Sequence, residues 1–240
     1  MKPYIHILFL LFSTIFLHAQ EVAAEESNDP VSLLGLIKQG GWAMYPLGIC
    51  SIIMFFLIVY SWKETAEKKF FVREQIDAAL NTFEKSDTRK DLNHLETSTA
   101  LLNRAVVPAL KKIHKGPDKS EALFIENLEA EENSVAQWVT YLNVVASVAP
   151  MIGLLGTVSG MISAFQTIGR GGMGRPELLA GDIGEALITT ATGLVIGIPA
   201  MIAYFILRNR LNTAMIATAQ AGTELIEAAS SASVKSAEAD

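Results

Sequence analysis

Polar side chains lie inside long uncharged runs of this sequence, and they limit the chemistry that the chain could perform there. One run holds Thr157 and Ser159, and a later run holds Thr189, Thr190 and Thr192. All five carry neutral hydroxyls, which donate and accept hydrogen bonds without titrating near neutral pH. In a spanning helix such hydroxyls either line a hydrated path or bond back to a carbonyl of their own helix. The sequence leaves both alternatives open.

Two carboxylates stand next to the later run. Asp182 and Glu185 lie three residues apart and therefore on one face of a helix. Ionisable groups at membrane depth are costly and are usually functional, but the helix dipole also favours a carboxylate at a helix start. Glu185 is therefore either functional or a capping residue. A proton path would also need a carboxylate or histidine near mid-membrane, which these runs lack, so a second protein must supply it.

Other kinds of site find little support. His94 and His114 have no cysteine or carboxylate at ligand spacing, so we expect no metal. The stretch "GLLGTVSG" lacks the Gly-Lys-Ser/Thr ending of a phosphate loop. No Ser/His, paired-Asp or metal-ligand set lies at depth, so we expect neither an enzyme nor a cofactor. The net charge of −6 argues against a nucleic-acid partner.

The composition is that of a membrane protein. Half of the 240 residues are apolar, 18% are charged, and the mean hydropathy is +0.33. Uncharged runs at 39–62, 133–169 and 186–207 would form helices of about 36, 55 and 33 Å, against a hydrocarbon core of about 30 Å. The sequence therefore predicts three spanning helices, the second of which extends into solvent.

The amino-terminal residues show the pattern of a secretory signal. Lys2 is followed by an apolar stretch too short to span a bilayer and then by Ala19, after which we favour cleavage over an uncleaved anchor. Fifteen Lys and Arg residues fall in the loop 63–137 and the tail, against three in the segments that would lie on the other side. The loop and tail are therefore predicted to be cytoplasmic.

These patterns predict an all-α membrane protein whose cytoplasmic domain is formed by long helix extensions. Asp118 and Glu121 resemble a capping box that begins a helix in the loop, with no breaker before Pro150. The predicted segments are a signal peptide (1–19), a periplasmic segment (20–41), a first span (42–62), a cytoplasmic helical domain (63–137), a second span with its extension (138–168), a periplasmic turn (169–182), a third span (183–207) and a cytoplasmic tail (208–240).

Small residues recur on the second and third predicted spans. Helices gain no hydrophobic drive from meeting in lipid, so close packing needs glycine or alanine. Pro150 is a predicted kink. The glycines predicted to pack helices are Gly153, Gly156, Gly160, Gly193 and Gly197.

The stretches "APMIGLLGTVSGMISAF" and "GDIGEALITTATGLVIGIPAMIAYFILRNRL" resemble the ExbB/TolQ/MotA proton-channel family, most of all ExbB and TolQ. The close match covers roughly residues 130–212. The resemblance implies that Thr157 and Thr190 face a channel, that Glu185 lies near its outer mouth, and that Pro150 and Pro199 are kink positions. Geometry alone would not select Thr190, which lies about 140° around the helix from Glu185.

The resemblance also implies partners and a location. The family forms a homo-pentamer around two transmembrane helices of an ExbD- or TolR-like partner, whose aspartate takes the proton. The leading hypothesis is a bacterial inner-membrane stator, with its mature amino terminus periplasmic and its carboxyl terminus cytoplasmic, that energises a TonB-like protein. The alternatives are a TolQ-like role in envelope integrity and a scaffold that conducts nothing. MotA-like stators have four spans, which makes a flagellar role less favoured.

Overall fold

The computed structural model describes residues 35, 39–70, 76–78, 80, 100–169 and 176–239. Within these ranges three helices are long and apolar enough to cross a membrane. The predicted all-α membrane fold with three candidate spans is confirmed. The predicted signal peptide lies outside the described residues. The elements are α1 (Met44–Glu64), α2 (Glu67–Phe70), α3 (Leu101–Leu110), a 3-10 turn (Ile113–Lys115), α4 (Pro117–Gly169) and α5 (Pro176–Ala239).

Helix α4 runs for 53 residues, from the polar loop through the second uncharged run. The predicted continuity of this helix is therefore found, but its predicted cap is wrong. Pro117 is already helical, so Asp118 lies in the first turn and is not the N-cap. Proline suits the first helical position because its fixed φ matches the helix and its missing N–H is not needed there. Gly116, with φ of 111°, precedes it.

Helix α5 begins earlier than the apolar run suggested. It starts at Pro176 and continues for 64 residues, so 176–182, expected to belong to a turn, are helical. Residues 170–175 of that predicted turn lie outside the described ranges. The difference arises because charged residues such as Asp182 end an apolar run without ending a helix. A proline at the first position again marks the start.

The chain divides into two compact units. The first comprises Met1–Phe55 and Asn143–Ile202, and the second comprises Phe56–Leu142 and Ala203–Asp240. In the second unit, α3 buries eight of its ten residues, as expected for a short helix surrounded by others. Their partners in the core include Phe70, Phe124, Leu128, Leu211, Met215, Leu225 and Ile226.

Aromatic residues cluster within the second unit. The rings of Tyr60 and Trp138 lie 4.6 Å apart between centroids, and Tyr141 packs edge-on against Trp138 at 6.0 Å. The Arg210 guanidinium lies 4.8 Å from the centroid of the Trp62 ring. Tyrosine and tryptophan concentrate where a bilayer meets water. The structure thus groups aromatic and basic side chains of α1, α4 and α5 in one cluster.

A glycine in the second unit provides a test of its core. A Cβ atom at Gly222 would lie 2.6 Å from Cε2 and 2.7 Å from Cε1 of Phe124, whose side chain is 1% exposed and has little room to move. We expect Gly222→Ala to destabilise the purified chain by about 1–3 kcal/mol, which lowers the thermal midpoint by several degrees. Gly181→Ala on the same helix is the control, because nothing lies within 4 Å of its added Cβ. Equal midpoints for the two variants would contradict this packing.

Candidate functional site

Helices α4 and α5 pack antiparallel within the first unit along a line of small residues. Gly160 faces Ala186, Gly156 faces Thr189, and Gly153 faces Gly193. We call this contact the glycine seam, formed by Gly153, Gly156, Gly160, Gly193 and Gly197. It contains all five glycines that the sequence suggested for helix packing.

The backbones of the two helices touch at the seam. A Cβ at Gly193 would lie 2.7 Å from the Ala149 carbonyl oxygen and 3.1 Å from the Gly153 Cα. A Cβ at Gly160 would lie 2.8 Å from the Asp182 carbonyl oxygen. Backbone atoms cannot rotate away as a side chain can, so only glycine permits this approach. Such contact supplies the van der Waals attraction that holds helices together in lipid.

Pro150 takes part in the seam. It has no N–H, so the Ala146 carbonyl lacks its usual helical donor. Gly197 lies against this place, where an added Cβ would be 3.0 Å from the Ala146 oxygen and 2.5 Å from Cγ of Pro150. The Gly197 backbone therefore lies against the freed carbonyl, at a place where a side chain would not fit. Pro199 lies half-buried in α5.

The threonine hydroxyls divide into two kinds. Thr190 Oγ1 donates across the seam to the Gly153 carbonyl at 3.0 Å. Thr157 donates within its own helix to the Leu154 carbonyl at 2.7 Å, and Thr192 bonds back to its own helix in the same way. Thr189, 1% exposed, donates to the Ala186 carbonyl at 2.8 Å and lies within reach of the Gly153 carbonyl at 3.4 Å. Thr190 therefore links two helices, whereas Thr157 bonds locally.

Glu185 lies where the start of α1 meets α5. Its carboxylate contacts Gly41, whose φ is 59°. Beside it, Trp42 Nε1 donates to Ser159 Oγ of α4 at 3.2 Å. Thr167 Oγ1 lies 3.4 Å from Asp182 Oδ2, which joins α4 and α5 nearer their ends. The turn before α1 thus contacts both other spanning helices at the level of Glu185.

The predicted site residues are partly brought together. Thr157, Thr190 and Glu185 are all half-buried. Thr190 follows Glu185 by five residues, which is about 7.5 Å along the axis, and Thr157 lies one turn from Gly153, the acceptor of Thr190. The contacts of Gly41 and Trp42 were not foreseen. The signal available was the "GGW" at 40–42, since paired glycines before an apolar run mark a backbone of unusual conformation.

The arrangement suits guiding a proton better than storing one. Hydroxyls both donate and accept hydrogen bonds, so a row of them can guide a proton. The uncharged runs 133–169 and 186–207 hold no charged residue. Among the residues that the structure describes, no group of three or more His, Cys, Asp or Glu could hold a metal ion. The nearest carboxylates, Asp182 and Glu185, lie toward one end of the seam.

Comparison with known proteins shows which family this chain belongs to. The sequence profile of the MotA/TolQ/ExbB proton channel family matches residues 94–220, which is more than half of the chain. This chain belongs to the MotA/TolQ/ExbB proton channel family, and within it the chain is most like ExbB. With its three apolar helices, it is a multi-pass membrane protein.

Individual relatives carry the names ExbB and TolQ. A putative ExbB-like biopolymer transport protein of Synechocystis is 29% identical over 201 residues, covering 80% of this chain and 77% of that protein. The Tol-Pal system protein TolQ of Haemophilus influenzae is 39% identical over 110 residues, 43% of this chain and 47% of the relative. The biopolymer transport protein ExbB of Xanthomonas campestris is 40% identical over 87 residues, 36% and 34% of the two chains.

The glycine seam makes a direct prediction for stability. We expect Gly193→Ala to lower the thermal midpoint of the purified chain by several degrees, since the new methyl group meets the Ala149 carbonyl and the Gly153 backbone. Gly184→Ala lies on the same helix with nothing within 4 Å of its Cβ, and it should leave the midpoint unchanged or raise it slightly. The seam would be contradicted by a Gly193→Ala protein as stable as Gly184→Ala.

Proposed function

We propose that this chain is a subunit of an inner-membrane motor that, with an ExbD-like partner, uses proton-motive force to energise a TonB-like protein for outer-membrane transport. The observation that carries this proposal is the glycine seam itself, which has hydroxyls at depth and a carboxylate only toward one end. Membership of a proton channel family supports conduction. The uncharged runs of α4 and α5 hold no carboxylate, which supports a partner protein whose acidic side chain carries the proton.

A neutral lining suits a moving partner. A fixed charge on this chain would cost free energy in lipid and would hold a partner aspartate in one place. The Thr190 hydroxyl, already bonded to Gly153, keeps lone pairs that can accept a hydrogen bond from a protonated partner side chain. Each proton that crosses about 100 mV releases about 2.3 kcal/mol, which the complex would convert into motion of the partner.

We propose that Glu185 serves the periplasmic end of the proton path and that Thr157 and Thr190 line its deeper part. The half-buried state of all three side chains supports this role, because each keeps a surface open to a partner. Pro150 and the seam glycines support the path indirectly by holding α4 and α5 in contact.

We further propose that five copies enclose the partner's two transmembrane helices. Within one chain only 17%, 28% and 33% of the three spanning windows are buried, so most of their apolar surface remains for lipid, other copies and the partner. The stoichiometry follows from the family resemblance. Lys and Arg in the loop and tail support a cytoplasmic position for 63–137 and 208–240 in a bacterial inner membrane.

A TolQ-like role in envelope integrity is the second candidate, because the relatives include a TolQ protein as well as ExbB proteins. The two roles share the same proton chemistry and differ in the client. Neighbouring genes separate them: reading frames for ExbD-like and TonB-like proteins support uptake, whereas Tol-type neighbours support the second role.

Removing the hydroxyls tests conduction against a passive scaffold. We expect Thr190→Val and Thr157→Val, which keep the side-chain shape, to lower proton flux per folded complex at least about tenfold in liposomes containing the cognate partner. The reason is that each hydroxyl is proposed to position the transferring proton, and misplacement by about 1 Å can slow such a step about a hundredfold. Proton uptake driven by an imposed membrane potential is the measurement.

Thr213→Val is the matched control. It lies on the same helix as Thr190, its hydroxyl bonds back to the Asn209 carbonyl at 3.0 Å, and it should keep full flux. The loss of one interhelical hydrogen bond in Thr190→Val should cost only about 0.6 kcal/mol of stability. If this chain is only a scaffold, the three substitutions should not alter the proton flux or the client activation of the complex. That result would exclude the proposed path.

The proposed orientation is tested with fusions. Green fluorescent protein joined at the carboxyl terminus should fluoresce, because that end is proposed to be cytoplasmic, whereas alkaline phosphatase at the same place should be inactive. The reverse pair of results would contradict the orientation inferred from the basic residues.

A further inference from the structure

The turn before α1 contains a contact that the proton-channel proposal does not use. The Glu185 side chain extends from α5 to Gly41, and its end occupies the space that a Cβ at position 41 would fill. Such a Cβ would clash with Oε1 of Glu185 and lie 2.5 Å from Cδ and 3.3 Å from Cγ. Three successive atoms of one side chain therefore pack on one glycine.

The backbone of Gly41 is unusual in itself. Its φ of 59° lies in the left-handed region, which side-chain-bearing residues adopt at a cost. The turn continues directly into α1, with Met44 N donating to the Gly41 carbonyl at 3.3 Å. Position 41 thus needs glycine for two independent reasons, its conformation and the nearby carboxylate.

Neighbouring contacts fix this turn against the other helices. Gly40 is buried, and a Cβ there would lie 3.3 Å from Cγ2 of Ile188, which is one turn along α5 from Glu185. On the other side, Trp42 donates to Ser159 of α4. Ala43, the next residue, is 1% exposed. The turn is held from two sides, so its position is set independently of Glu185.

We propose that Gly41 is a positioning residue for the Glu185 carboxylate, and that the turn 40–43 forms one wall of the path's periplasmic mouth. The fixed turn and the absent Cβ define where the carboxylate rests between α1 and α5. The importance of Gly41 for proton transfer rests on the proposed function, whereas the contact between Gly41 and Glu185 does not depend on it. A methyl group at position 41 would push the carboxylate out of this place.

A double-mutant cycle on stability tests the contact without any transport assay. We expect Gly41→Ala to lower the thermal midpoint of the purified chain by about 4 °C or more, from backbone strain and the clash together. In an E185A background the clash is gone, so the same change should cost only the strain. If Gly41→Ala alone yields no folded protein, recovery of folded protein in the double variant gives the same support.

Gly116→Ala is the matched control for strain. Gly116 also has positive φ, at 111°, but nothing lies within 4 Å of a Cβ there. Its cost should be the same with and without E185A, because no side chain of Glu185 lies near it. An equal cost of Gly41→Ala in both backgrounds, or no recovery of folded protein, would overturn the contact.

Proton flux per folded complex tests positioning. With the cognate partner in liposomes, Gly41→Ala should conduct at least about tenfold less than wild type, because displacement of a proton-transferring group by about 1 Å is costly. Gly116→Ala should conduct normally. Wild-type flux in the folded Gly41→Ala fraction would leave Gly41 a packing residue and overturn its positioning role. Full flux in E185A would instead refute the proposed role of Glu185, while the stability coupling would still stand.

Discussion

Two helices in a bilayer gain nothing from the hydrophobic effect by leaving lipid for each other, so contact between α4 and α5 depends on how closely their backbones approach. The glycine seam allows that approach: added methyl groups at Gly153, Gly160 or Gly193 would meet backbone atoms of the facing helix at 2.7–2.9 Å. The same closeness lets the Thr190 hydroxyl reach the Gly153 carbonyl. Packing and the placement of the polar groups therefore have one cause.

This constraint also explains the chemical character of the site. Backbones in contact leave no room between the helices for a long charged side chain, whereas the short side chains of Thr189 and Thr190 fit beside the seam. The Glu185 carboxylate lies toward one end of the seam and rests on Gly41. The uncharged runs of α4 and α5 carry no carboxylate or histidine, which is the reason for proposing an acid on a second protein.

The sequence predicted the architecture well, because its main determinants are local. Uncharged runs of sufficient length gave the three spanning helices, and small residues at helical spacing indicated which helices touch. The start of α5 was misplaced, because Asp182 ends an apolar run but not a helix. The cap at Asp118 was wrong because Pro117 already begins α4.

The details of the site depend on tertiary contacts, which the helical spacing of residues in the sequence does not reveal. Helical angles alone would not select Thr190, yet its hydroxyl makes the 3.0 Å bond that links α5 to α4. Thr157 bonds within its own helix, so the structure of one chain leaves its role as a proposal. The contact of Glu185 with Gly41 joins positions far apart in sequence, so the paired glycines at 40–41 could mark an unusual backbone but not the side chain that packs on it.

The central claim is that this chain supplies a neutral path and that its partner supplies the acid. The most direct measurement is proton uptake under an imposed potential into liposomes holding this chain alone, the complex, or the complex whose partner carries Asn for its membrane aspartate. The account predicts uptake only in the unaltered complex. Equal uptake by this chain alone, or by the complex with the Asn partner, would contradict it.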